Sequence, residues 1–341
     1  MKKLHQVLEH KSPTKGDVGI EIECEGRNLQ LMDTKFWKTE DDGSLRGNFP
    51  DGRSEYVLKS PILEDQVEAA LDEIILAQKD AKFDFSFRTS CHVHINCTDM
   101  IEDEFITMAY LYMTFEDVMI HFCGDSRRGN RFCLRVQDAE QQIDPLINII
   151  DGGWQTVYHI GGDQYRYAAM NLAALAKYGS VEFRAMRGNM DKKVLLPWVT
   201  ALLNLRRAAL EFKTPIAVHE YLTKNGVANL FLKVFGNVAD SFGYVGMEQE
   251  VLRCVSLAIE IPFLWKQARD RENKKPELKP YAPKMKKFNF EQAMVANVAP
   301  EAVAHQEAAE RVLRGIRARF AIPDVLGGGG ININDNPENN F

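Results

Sequence analysis

Three times in this chain an ionisable pair is spaced two residues apart inside an apolar run. Glu21 and Glu23 lie in Gly19-Ile20-Glu21-Ile22-Glu23-Cys24, His92 and His94 in Cys91-His92-Val93-His94-Ile95, and Glu182 and Arg184 in Val181-Glu182-Phe183-Arg184. A spacing of two puts both members of a pair on one face of an extended strand and the apolar residues between them on the other. On a helix the members of a pair would stand about 200° apart and share no face. Each segment therefore predicts a strand with a charged face and a buried one, and their recurrence predicts a sheet that collects ionisable groups on one side.

The rest of the chain is read around these strands. Asp17–Cys24 and Ser54–Lys59 predict strands, the second carrying Glu55 and stopped by Ser60-Pro61. Leu63–Lys79 predicts an amphipathic helix with Val67, Leu71, Ile74 and Ile75 on one face. Phe83, Phe85 and Phe87 alternate with polar residues and predict a half-buried strand, followed by Cys91–Asn96. Glu104–Phe122 reads as helix, Tyr165–Met186 as two short runs around Asn171 and Glu182, and the chain from Val194 as mostly helix, with apolar faces through Leu195–Phe212 and Val251–Leu264. Strands first and helices later predict an α+β fold.

Two segments depart from this pattern. Lys266–Lys287 is basic, contains Pro276, Pro280 and Pro283, and reads as a surface loop or arm. Gly327–Phe341 begins with four glycines, ends Asn-rich, and reads as a flexible tail. The implied organisation is an N-terminal extension (1–16), a catalytic domain (17–265), a basic and helical segment (266–326) and the tail (327–341).

Composition narrows the function classes. The 341 residues carry a net charge of −6, which argues against a general nucleic-acid binder. No run approaches the length of a membrane span, and the basic N-terminus lacks the apolar stretch of a signal peptide. The six cysteines form no CxxC pair and read as buried free thiols of a cytoplasmic protein.

Neighbouring carboxylates repel unless a cation lies between them, and two imidazoles on one strand face can bind a divalent ion. Carboxylates favour magnesium or manganese, whereas zinc would call for more His or Cys in the cluster. Taken singly, the pairs read equally as a solvated sheet face or a structural Glu182–Arg184 salt bridge. Arg127, Arg128, Arg131 and Arg135 crowd one short loop, and guanidinium forks suit phosphate and carboxylate oxygens; the plain alternative is a solvated basic loop. No GxxxxGK[ST] phosphate loop is present.

In order, the segments GIEIE, DDGSL, EYVLKSPI, SCHVHIN, RYAAMNL and VEFRAMRGNMD resemble the motifs of the amidoligases, a group within the glutamine synthetase and glutamate–cysteine ligase superfamily. The resemblance covers about residues 17–205. It implies a curved antiparallel sheet of the glutamine synthetase catalytic type with helices packed on one face, and ATP bound through two or more Mg²⁺ ions, with Mn²⁺ as substitute. It implies Glu21, Glu23, Glu55, Glu182 and His94 as metal ligands, with His92 as the alternative histidine. Arg184 is implied at the transferred phosphate or the substrate carboxylate, and His92, Arg127, Arg128, Arg131 and Asn171 at nucleotide or substrate.

The implied reaction joins a carboxylate to an amine through an acyl phosphate, and the substrates range from amino acids to a peptide or another protein. Competing readings are a phosphotransferase of the guanidino-kinase kind, a metal hydrolase using His92-x-His94, and a non-catalytic assembly protein. The hydrolase reading calls for a βα barrel, and the βα alternation is missing.

Overall fold

The computed structural model describes residues 1–8, 15–138, 143–160 and 165–273. Its strands are β1 (Val18–Arg27), β2 (Trp37–Glu40), β3 (Arg53–Leu58), β4 (Lys82–Phe83), β5 (Ser90–Asn96), β6 (Met170–Asn171) and β7 (Ser180–Arg187). They form one sheet in the order β2-β3-β1-β5-β7-β6, with β4 paired to the last two residues of β1. Every strand pairing is antiparallel, and β2 and β6 are the edges.

The alternation works as the spacing predicts. Ile20, Ile22, Val93, Ile95, Val181 and Phe183 are all buried on one face of the sheet. The described helices are α1 (Val67–Ala77), α2 (Glu102–Thr114), α3 (Glu116–Cys123), α4 (Asp144–Gly152), α5 (Ala174–Tyr178), α6 (Lys192–Phe212), α7 (Pro215–Asn225), α8 (Val227–Phe235), α9 (Glu248–Ala258) and α10 (Glu260–Asn273); α3 and α6 pack against the sheet, and α7 to α10 pack on other helices. Every residue of α2 from Phe105 onward is buried, which makes α2 the centre of the helical layer. Its Tyr112 ring meets Phe183 of β7 at 5.0 Å between centroids. The arrangement is α+β, as the order of elements predicts, and among the described residues no helix is long and apolar enough to cross a membrane.

The structure differs from the sequence reading at several elements. Of the alternating phenylalanines only Phe83 is in a strand; β1 ends at Arg27, so no ladder remains for the others. Phe85 stacks on Phe83 and Phe87 stacks on Phe132 instead. The long helix expected over Glu104–Phe122 breaks at Phe115 (φ −113°, ψ 15°) into α2 and α3. The edge strand β2 is too short to show a period, yet its Trp37 is fully buried and donates its indole N–H to Ala70 O at 2.7 Å.

Two expected boundaries are crossed by packed structure. Leu4 and Leu8 of the N-terminal segment are buried, and Lys3 bridges to Ile101. At the other end α10 continues through Lys266 to Asn273, where a loop was expected. There Trp265 Nε1 and the Arg269 guanidinium both donate to the buried Asp103 carboxylate at 2.7 Å. The rest of the basic segment and the tail lie outside the described residues. All six cysteines are free and buried.

Candidate active site

The ladder registers bring the paired residues of separate strands together. Glu23 lies opposite Glu55 across β1–β3, Glu21 opposite His92 across β1–β5, and His94 opposite Glu182 across β5–β7. Because these partners face one another directly, their side chains rise on the same side, the one the helices leave uncovered.

Glu21 stands at the centre. Its two oxygens reach His92 Nδ1 at 3.3 Å and His94 Nε2 at 3.5 Å. His92 Nδ1 is also 3.5 Å from Glu182 Oε1, and its Nε2 is 2.7 Å from Ser90 Oγ. Ser90 in turn donates to Glu23, and Ser180 Oγ is 3.1 Å from His94 Nδ1. Asn171 Nδ2 donates to Glu182 Oε2 at 2.6 Å while the Arg184 guanidinium donates to Glu182 Oε1. Asn171 is thus an orienting partner of Glu182.

Among the described residues two groups each bring their donor atoms within 4.8 Å of one another: Glu21, Glu55 and His92, and Glu21, His94 and Glu182. Glu21 belongs to both, and Glu23 to neither. Two cavities adjoin these sets and share Glu21 and Glu55 in their walls. The larger, about 610 Å³, runs past Gly19, Lys38, Lys59, His94, Tyr178 and Ser180. The smaller, about 290 Å³, is walled by Asp42, Arg88, Phe132, Arg166, Tyr167 and Arg184.

The electrostatics are those of a site that favours cations. Burial pushes the Glu55 carboxyl up, and the facing charges of Glu21 and Glu23, with Asp42 and Glu40, push it further, to about 8. Burial also opposes ionisation of Glu21, but hydrogen bonds and charge from His92 and His94 outweigh it and hold the group well below the usual carboxylate range. Glu182 is buried too, and the charges of His92 and Arg184 lower it on balance.

The basic loop is not brought to either cavity as a unit. Arg127 is buried and donates to the carbonyls of Ala185 and Arg184, both at 2.8 Å. Arg128 and Arg131 are exposed, with Arg131 lying over the Phe132 ring, and none of the three lines the two cavities. The physical reason is the geometry of the loop: it folds under β7, and only Phe132 reaches the smaller cavity. Sequence reasoning missed Ser90 and Ser180, although each stands two residues before a named residue and extends the same alternation. It also missed Arg88, Arg166 and Tyr178; these come from loops and a short helix, where no period marks a face.

Residues 27–205 match the family described as "Putative amidoligase enzyme". The chain belongs to this family. The amidoligase match spans Glu55, His92, His94, Asn171, Glu182 and Arg184, and begins downstream of Glu21 and Glu23, which join the site through the β1 ladders. Membership makes the chain an enzyme of ligase type. No curated protein matches the chain.

Proposed function

We propose that this amidoligase-family protein is an ATP- and magnesium-dependent carboxylate–amine ligase acting through an acyl phosphate, on a sheet of the glutamine synthetase catalytic type. The observation that carries the reading is the pair of Glu/His donor sets sharing Glu21 where two cavities of different size and character meet. The larger has the room for a nucleotide and offers the Tyr178 ring with Lys38 and Lys59. The smaller suits a compact carboxylic acid beside Arg88, Arg166 and Arg184.

The donor sets fit divalent cations. Glu55 faces like charge, and a cation between the carboxylates would let it ionise at neutral pH. Carboxylate oxygens with one imidazole nitrogen in each set suit Mg²⁺ and also Mn²⁺. Bound there by Glu21, Glu55 and His92 and by Glu21, His94 and Glu182, such ions would neutralise phosphate charge.

In the first step a substrate carboxylate oxygen attacks the γ-phosphorus, the bond to the β–γ bridging oxygen breaks, and ADP leaves. The amine nitrogen then attacks the acyl carbon, the carbon–oxygen bond to phosphate breaks, and phosphate departs with the electron pair as the amine gives up a proton. The chain's own contribution is positioning and charge. The Arg184 fork steadies oxygens of the group in transfer, Asn171 and Arg184 hold Glu182 in place, and Ser90 and Ser180 fix the two imidazole rings. The catalytic residues are taken to lie within 17–265, with the N-terminal segment and the end of α10 packed onto that unit.

The test is ADP release by the purified protein with Mg²⁺, against a panel of acids and amines. Release that needs both an acid and an amine supports the ligase. Release without any amine would make the protein a phosphotransferase, and turnover of a substrate without ATP would overturn both readings in favour of a hydrolase.

A further inference from the structure

Arg127 is the one arginine or lysine among the described residues that is buried, with 1% of its surface exposed. The acids of its own loop are engaged elsewhere, Asp125 with His121 and Asp138 with Arg135. Burying a guanidinium without a carboxylate is costly, so the contacts it keeps merit a reason. Those contacts are two backbone carbonyls of β7: Nε donates to Ala185 O and Nη2 to Arg184 O, each at 2.8 Å.

These two residues are where the β5–β7 ladder shifts register. Cys91 pairs with Met186 and Val93 with Phe183, so the single residue His92 faces both Arg184 and Ala185. The extra residue is what lets Phe183 and Met186, three apart, both be buried. Bulges of this kind re-aim a side chain, and the unpaired peptide groups need partners. Here the Arg184 N–H donates to Ala169 O at 2.9 Å, and its carbonyl is taken by Arg127.

We infer that Arg127 is a positioning residue for Arg184: its fork fixes the β7 bulge from beneath, and the bulge sets where the Arg184 guanidinium stands in the smaller cavity. The rest of the loop reinforces the brace. Cys133 Sγ contacts Arg127 O at 3.6 Å, and Asn130 Nδ2 donates to Phe87 O at 3.1 Å and to Ser126 O at 3.3 Å. Asn130 Oδ1 accepts from Phe132 N at 3.0 Å, and the Phe132 ring is a wall of the same cavity. The arginine-rich stretch thus acts on the site through the backbone. Its effect on turnover rests on the ligase reading above; its effect on geometry does not.

The test is Arg127→Lys, which keeps the charge but cannot hold two carbonyls in one planar fork. The side-chain Nε–H signals of Arg184 and of Arg206 are followed by NMR in the folded variant. Arg206 serves as control because its Nε donates to Asn96 O, away from the bulge. The Arg184 signal is expected to shift or broaden while that of Arg206 stays. In the ligase assay kcat is expected to fall about tenfold or more with KM for ATP held within about twofold. In an Arg184→Lys background the same change should cost less than about threefold further, since the two act as a unit. An unmoved Arg184 signal, or losses that simply multiply, overturns the inference. If wild-type protein shows no ADP release, the ligase reading fails while the NMR result still decides this one. If Arg127→Lys does not fold, Asn130→Ala loosens the same brace, and an unmoved Arg184 signal there has the same meaning.

Discussion

Glu55 sits directly across from Glu23 on one neighbouring strand and Glu40 on the other. Like charges opposed in this way destabilise a ladder. Burial first, and then the charges of Glu21, Glu23, Asp42 and Glu40, raise the Glu55 carboxyl to about 8. In the unfolded chain the group ionises near its usual 4.5. Between these values the folded state binds the extra proton, so the contribution of Glu55 falls as pH rises from about 4.5 through about 8. Glu116, deeply buried on α3, is likewise raised to about 8, so the wild-type profile sums both groups. The difference between wild type and Glu55→Gln isolates one of them. Without divalent ions, Glu55→Gln is expected to be more stable than wild type by on the order of 1–2 kcal/mol at pH 9 and equal to it near pH 4.5. Saturating Mg²⁺ should reverse the order at pH 8, because the variant has lost a ligand; denaturant melts at pH 4.5 and 9 without metal, and at pH 8 with and without Mg²⁺, check both signs. Arg184 belongs to the same scale. Arg184→Lys is expected to lower kcat by about 100- to 1,000-fold with a smaller change in KM for ATP, read from steady-state kinetics on protein shown to be folded. A loss of only a few-fold would leave Arg184 as the salt-bridge partner of Glu182.

At the scale of elements, the period of two determined which residues of β1, β5 and β7 face the helices, while the ladders determined which acids meet. Glu21 and His92 are 71 positions apart, and His92 and Glu182 another 90, yet antiparallel pairing sets them side by side. The β7 bulge is the element-level feature with no sequence mark except the spacing of Phe183 and Met186. Helix α10 shows the same contrast. The segment from Lys266 onward reads as surface, but Arg269 and Trp265 converge on Asp103 of α2, a carboxylate buried to within 4% exposure. A chain ending at Trp265 is therefore expected to be less stable than one ending at Lys275 by about 3 kcal/mol, because it leaves a buried acid without its cation. Chemical denaturation of the two truncations measures this, and equal midpoints would show that Arg269 contributes nothing.

For the molecule as a whole, ligand binding and folding are linked. A native state that binds Mg²⁺ and ATP through strands β1, β3, β5 and β7 must gain stability when both are supplied. At concentrations about 100 times the dissociation constant the gain is about 2.7 kcal/mol, seen as a rise in the thermal midpoint. ATP with excess chelator should give little of it, and calorimetric ATP binding should depend on Mg²⁺ in the same way; equal binding with chelator would remove the metal-bridged reading. Much of this was legible from the chain alone. Period-two alternation is a local rule, so Ile20, Ile22, Val93, Ile95 and Phe183 could be assigned to the core, and Glu21, His92, His94, Glu182 and Arg184 to the other face, without any knowledge of pairing. Free buried cysteines and the α+β order followed from equally local patterns. What only the tertiary structure decided depends on strand order and on loops: the sharing of Glu21 by two donor sets, the exclusion of Glu23 from both, the two cavities, and the entry of Arg88 and Arg166. The clearest case is Arg127, which its sequence neighbourhood assigns to solvent and phosphate. The fold buries it under β7 instead, where its guanidinium donates to the two carbonyls at the bulge.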